Sequence, residues 1–182
     1  MLKYYNYMVV FEEIPDEITL SINITNCPCH CIGCHSKFLW EDVGTELTVE
    51  ELGKIIDENS GVSCVCFMGG DAAPSELNEL ACYVRKEKKK KVGWYSGRDV
   101  LSNEVDLRYF NYVKIGRYDE KLGGLDKETT NQVLYKISPI NQCLGNNDDI
   151  QKTDNTDRIC KHGTTMVLED ITDKFWKKPL AF

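Results

Sequence analysis

No stretch of this 182-residue sequence approaches the ~18 consecutive apolar residues that cross a bilayer. The one short apolar run near the N-terminus, Met8 to Phe11, is too short for the core of a secretion signal, and Glu12 and Glu13 follow at once. A cytoplasmic protein with no membrane contact is therefore expected. Positive charge is also short: 22 Lys and Arg stand against 29 Asp and Glu, a formal net charge of −7. That excludes a nucleic-acid partner held by a broad basic surface. There is no internal repeat, no Ser/His/Asp array and no phosphate-binding loop, since Gly69-Gly70 is not followed by Gly-Lys-Ser/Thr.

What the sequence does have in excess is cysteine. It has nine, an odd number with no secretion signal, which argues against a disulfide framework. In a reducing compartment such residues are metal ligands or catalytic thiols. Cys27, Cys29, Cys31 and Cys34 crowd into one segment; Cys64, Cys66, Cys82, Cys143 and Cys160 are scattered.

The rest of the chain alternates strand and helix signals. Period-two alternation over 18–24 predicts a strand with Ile18, Leu20, Ile22 and Ile24 on one face, and the cysteine segment follows it. Thr48 with Glu51 forms a capping box opening a helix that Gly61 ends. Residues 62–68 predict a second strand, closed by Gly69, Gly70 and Asp71. A helix follows from Pro74, with Leu77, Leu80 and Val84 at helical spacing, and its solvated end is the Lys88–Lys91 run. Residues 92–96 and 112–115 predict two more strands, ending at Gly97 and Gly116, and 164–168 a last one. The polar stretch 138–161 reads as a loop or insertion.

This order implies one domain over 1–182, of the α/β class, with a mostly parallel sheet of right-handed βαβ units. The chain falls short of the ~250 residues of an eight-stranded barrel, so an open, partial β/α barrel is expected. In such sheets the chemistry lies at the C-terminal strand ends. Cys64, Cys66, Met68 and Cys82 read as core, as do Trp94 and Trp176. Cys143 and Cys160 with His162 are candidates for an accessory metal site.

The segment from Cys27 to His35 admits three readings. Cys31 and Cys34, completed by Cys29, His30 or His35, could hold zinc. The same pair could be a redox-active dithiol. Cys27, Cys31 and Cys34, spaced Cys-x-x-x-Cys-x-x-Cys, could hold three irons of a [4Fe-4S] cluster and leave the fourth open for a ligand.

That spacing after a first strand, followed by Gly69-Gly70-Asp71 after a second, resembles the radical S-adenosylmethionine superfamily, with Asp in place of the usual Glu. Gly33 and His35 beside the last cysteine, Trp40, Tyr95 to Arg98, and Thr129 to Gln132 make the sequence similar to activating proteins of the anaerobic ribonucleoside-triphosphate reductase. The resemblance implies that Cys27, Cys31 and Cys34 ligate the cluster. It implies that Gly33, Cys34, His35, Gly69, Gly70 and Asp71 contact S-adenosylmethionine, with Asp71 near the methionine ammonium. It further implies an enzyme that makes a glycyl radical on the reductase, reduced by a donor such as flavodoxin or ferredoxin. An activase of pyruvate formate-lyase or another glycyl-radical enzyme is the nearest alternative; a non-catalytic zinc module is one of a different class. Cys29 is expected to be dispensable for the cluster.

Overall fold

The computed structural model describes residues 1–140, 151–153, 156–161 and 164–175; Cys143, His162 and Trp176 lie outside them. Two strands precede the cysteine segment, β1 (Lys3–Val10) and β2 (Thr19–Ile24). After it come the two-residue β3 (Thr45–Glu46), α1 (Val49–Glu58), β4 (Cys64–Met68), α2 (Pro74–Lys86), β5 (Lys91–Tyr95) and β6 (Tyr112–Ile115). The chain continues through β7 (Val133–Ile140), β8 (Gln151–Thr153), β9 (Thr156–Lys161) and β10 (Thr164–Asp170). β8 and β9 fall within the polar stretch 138–161.

All ten strands form one sheet in the order β3-β1-β2-β4-β5-β6-β7-β10-β9-β8. The mostly parallel, open β/α barrel expected from the sequence is not what forms. Three of the nine pairings are parallel, β2–β4, β4–β5 and β5–β6; the other six are antiparallel. The reason lies in the connections. A parallel pair needs a crossover of a dozen or more residues, and only the segments after β2, β4 and β5 cross back over the sheet. β1 turns directly into β2, and the helix-free segment after β6 returns as the antiparallel β7. With α1 and α2 as the only α-helices among the described residues, nothing there alternates around a barrel wall.

The parallel block is buried on both faces, as parallel strands are. On one face Leu20, Ile22, Ile24, Val65, Phe67, Val92 and Trp94 pack against Leu52, Ile55 and Ile56 of α1 and Leu77, Leu80 and Val84 of α2. On the other, Cys64 and Cys66 pack with Ile14, Tyr95, Tyr112, Leu134 and Ile171, as small apolar side chains. Ile18 lies outside β2 and is exposed. The Thr48 hydroxyl caps α1, accepting from the Glu51 N–H at 3.2 Å. The lysine run is not a free helix end. Lys88 pairs with Asp57 at 2.6 Å, Lys90 donates to the Ser60 and Val62 carbonyls, and Lys91 pairs with the buried Glu17. Among the described residues no helix is long and apolar enough to cross a membrane.

Candidate metal centre

The three parallel pairings align the C-terminal ends of β2, β4, β5 and β6, and the segments leaving those ends meet around one cavity of about 150 Å³. The segment after β2 contributes all four clustered thiols, Cys27, Cys29, Cys31 and Cys34. Its backbone curls by way of left-handed residues at Asn26, His30 and Gly33. Its base is tied by the Cys27 N–H to the Leu39 carbonyl at 2.9 Å and the Asn26 N–H to the Glu41 carbonyl at 3.0 Å. Within it the Cys34 N–H donates to the Cys31 carbonyl at 3.1 Å, and the Ser36 N–H reaches Cys34 Sγ at 3.4 Å. Gly33 is required where it stands: φ is +76°, and a Cβ would come 2.7 Å from that of Glu120.

Of the residues picked out from sequence, Cys27, Cys31, Cys34, Gly69 and Asp71 line the cavity; Gly33, His35 and Gly70 do not. His35 is exposed and meets the Tyr118 hydroxyl at 3.1 Å. Gly70 sits over Leu77. The Gly69 carbonyl accepts from the Trp94 indole at 2.9 Å, and that of Gly70 from the Ala73 N–H at 3.1 Å. Asp71 is buried, and its carboxylate is engaged by the turn after β5. Oδ1 accepts from the Ser96 hydroxyl at 2.6 Å and Oδ2 from the Gly97 N–H at 3.2 Å. Arg98 adds an ion pair at 3.6 Å and a hydrogen bond to the Asp71 carbonyl. Asp71 thus locks the ends of β4 and β5 together.

Another part of the wall comes from the end of β6 and the segment after it, where the sequence singled out Gln132 but not Lys114 or Tyr118. Lys114 is buried there and lines the cavity with Tyr118 and Gln132. Its ammonium donates to the Gly116 carbonyl at 3.2 Å, which also accepts from Gln132 Nε2. Burial pulls the Lys114 pKa below its usual value, while Asp71, Cys31 and Cys29 act in the opposite sense. Asn131 donates to the Arg117 carbonyl at 3.0 Å, so Asn131 and Gln132 pin this segment in place. A lone lysine in a four-residue strand gives no sequence signal for such a role.

The thiols are inequivalent. Cys31 is buried and the others half-buried. A hydrogen bond from the Cys29 thiol draws the Cys27 pKa down to about 6, against the opposing effect of burial. The same bond, with burial, pushes Cys29 up.

Three features suit this cavity to an anionic iron–sulfur cluster. The donors are soft thiols, which favour such clusters. The Lys114 ammonium places positive charge in the wall. Trp40 also lines the cavity, and its buried indole N–H has no hydrogen-bond partner. Cluster sulfurs accept such hydrogen bonds. The Trp40 ring is held by the His30 ring, stacked at 4.6 Å and 14°. Among the described residues no three His, Cys, Asp or Glu side chains converge closely enough to share one ion. The ligands of a cluster each hold a separate iron and stand further apart than the donors of a tetrahedral zinc site.

A family model described as a 4Fe-4S single cluster domain, of the kind found in radical S-adenosylmethionine-type iron–sulfur proteins, matches residues 18–131. That span runs from β2 past Lys114 and Tyr118 to Asn131, one residue before Gln132. No curated protein and no solved structure matches the chain.

Proposed function

The chain belongs to the family of 4Fe-4S single cluster domains, and from that premise we infer that it is a radical S-adenosylmethionine activase of the anaerobic ribonucleoside-triphosphate reductase. One observation carries this reading: three thiols at Cys-x-x-x-Cys-x-x-Cys spacing share a cavity with the Gly69–Asp71 turn and the Gly97 turn, at the ends of adjacent parallel strands. Cys27, Cys31 and Cys34 would hold three irons of the cluster, and S-adenosylmethionine would take the fourth. A cluster held there would supply the one-electron reduction of the S-adenosylmethionine sulfonium that releases methionine and a 5′-deoxyadenosyl radical.

The surrounding residues position and shield. The Asp71–Ser96–Gly97–Arg98 network fixes two of the strand-end turns relative to each other. Lys114 offsets anionic charge in a cavity partly closed to water, where such charges interact more strongly than in bulk. Trp40 covers the loop side with its ring and offers an N–H to a cluster sulfur. On this reading the target would be a glycine Cα of the reductase, and the electron donor a flavodoxin or ferredoxin.

The test is to mix the anaerobically reconstituted, reduced protein with S-adenosylmethionine and the reductase. A glycyl radical seen by electron paramagnetic resonance on the reductase supports the assignment. A signal only on pyruvate formate-lyase moves the target to that enzyme, and none on either overturns the activase reading.

A further inference from the structure

Cys29 is the one thiol of the loop that the three-ligand assignment leaves unused, yet it lines the same cavity as Cys27, Cys31 and Cys34. Its other side meets the turn after β5. A Cβ at Gly97 would lie 2.7 Å from Cys29 Sγ and 3.0 Å from Cys29 Cβ, inside contact distance for both. Only glycine leaves that niche open, and any larger residue would displace the Cys29 side chain from it. The Cys29 side chain therefore lies over Gly97, in the cavity that Cys27, Cys31 and Cys34 also line.

We propose that Cys29 is a displaceable fourth thiolate ligand of the cluster, a role that rests on the open-iron reading above. Without S-adenosylmethionine, the Cys29 thiol gives its proton to solvent and its sulfur binds the fourth iron, so that no iron faces water. S-adenosylmethionine enters by exchange. The iron–sulfur bond to Cys29 breaks, the amino nitrogen and carboxylate take its place, and the freed thiolate regains a proton in the niche over Gly97. No electron moves in either direction. The exchange makes binding of S-adenosylmethionine compete with an internal ligand. If Cys29 holds the iron in about nine molecules of ten, only a tenth are competent and apparent affinity falls about tenfold.

The test uses full-length protein reconstituted anaerobically with ⁵⁷Fe and read by Mössbauer spectroscopy, with S-adenosylmethionine affinity measured by anaerobic calorimetry. In the wild type, four thiolate-coordinated irons are expected at rest, with one set apart after S-adenosylmethionine is added. In Cys29→Ala one iron is set apart before addition, and affinity rises about tenfold. Cys29→Ser, which keeps the size of the side chain, is expected to follow Ala and so separates ligation from packing. Gly97→Ala, which closes the niche, is expected to weaken binding. A distinct iron in the resting wild type, an unchanged affinity in Cys29→Ala, or loss of iron from that variant would each overturn the proposal. Should neither protein bind S-adenosylmethionine while the resting spectra differ as expected, the activase reading fails and ligation by Cys29 stands.

Discussion

Replacing Asp71 separates its structural role from a purely ligand-binding one. The carboxylate accepts from the Ser96 hydroxyl and the Gly97 N–H, and both Asp71 and Ser96 are buried, at 3% and 1% exposure. Asp71→Ala strands two donors, the buried Ser96 hydroxyl at about 1–3 kcal/mol and the half-buried Gly97 N–H at about 1–2 kcal/mol. Arg98, half exposed, turns to water and adds little. The expected loss is about 2–5 kcal/mol. Asp71→Asn keeps one acceptor and should lose roughly half as much. With a urea slope of about 2 kcal/mol/M, the Ala variant's midpoint falls by roughly 1–2.5 M. Urea unfolding of the metal-free protein, followed anaerobically by far-ultraviolet circular dichroism, reads this directly. If Asp71→Ala stays within about 0.5 kcal/mol of wild type, the network does not hold the strand ends, and the reasoning about Asp71 is refuted.

Ala at Cys27, Cys31 or Cys34 should abolish cluster assembly, read as iron and acid-labile sulfide, whereas Cys29→Ala should retain it. Trp40→Phe removes the unpartnered indole N–H and should shift the cluster potential downward in a redox titration, since hydrogen bonds to cluster sulfurs raise it; an unchanged potential would mean that the N–H does not reach the cluster. Glu17 accepts from Lys91, Ser63 and Tyr112; burial alone would raise its pKa, but these partners outweigh it and the pKa is lowered. Its stabilisation is therefore present above the unfolded value near ~4.3 and is lost as pH falls through the lower folded value. Thermal melts from pH 6 to 3 should show a steep loss in wild type and a shallower one in Glu17→Gln.

The local elements were legible because their signals are local. The Thr48 cap, the helix from Pro74 and the strands at 64–68, 91–95 and 112–115 are encoded in a few consecutive residues. Cys27, Cys31 and Cys34 declared themselves by spacing, and one cavity receives all three. The direction of strand pairing was not legible. Period-two alternation reads the same for parallel and antiparallel neighbours, and only the length and course of each connection distinguishes them. β1 was missed because Tyr4, Tyr5, Tyr7 and Met8 follow no strict alternation on a strand that is half exposed. Lys114 was missed because its role comes from sheet order: β6 lies beside β5 in the sheet, some 80 residues after the cysteine loop in the chain. Asp71 lines the cavity with the cysteines, but its partners Ser96, Gly97 and Arg98 lie on another strand end, and that pairing has no sequence signature.

The central claim is an iron–sulfur cluster with one iron open to S-adenosylmethionine. Its most direct measurement is 5′-deoxyadenosine released when the reconstituted protein is reduced anaerobically in the presence of S-adenosylmethionine. Release is expected from wild type and from Cys29→Ala, and none from Cys27→Ala, Cys31→Ala or Cys34→Ala. A fully assembled, reduced cluster that releases no 5′-deoxyadenosine would contradict it.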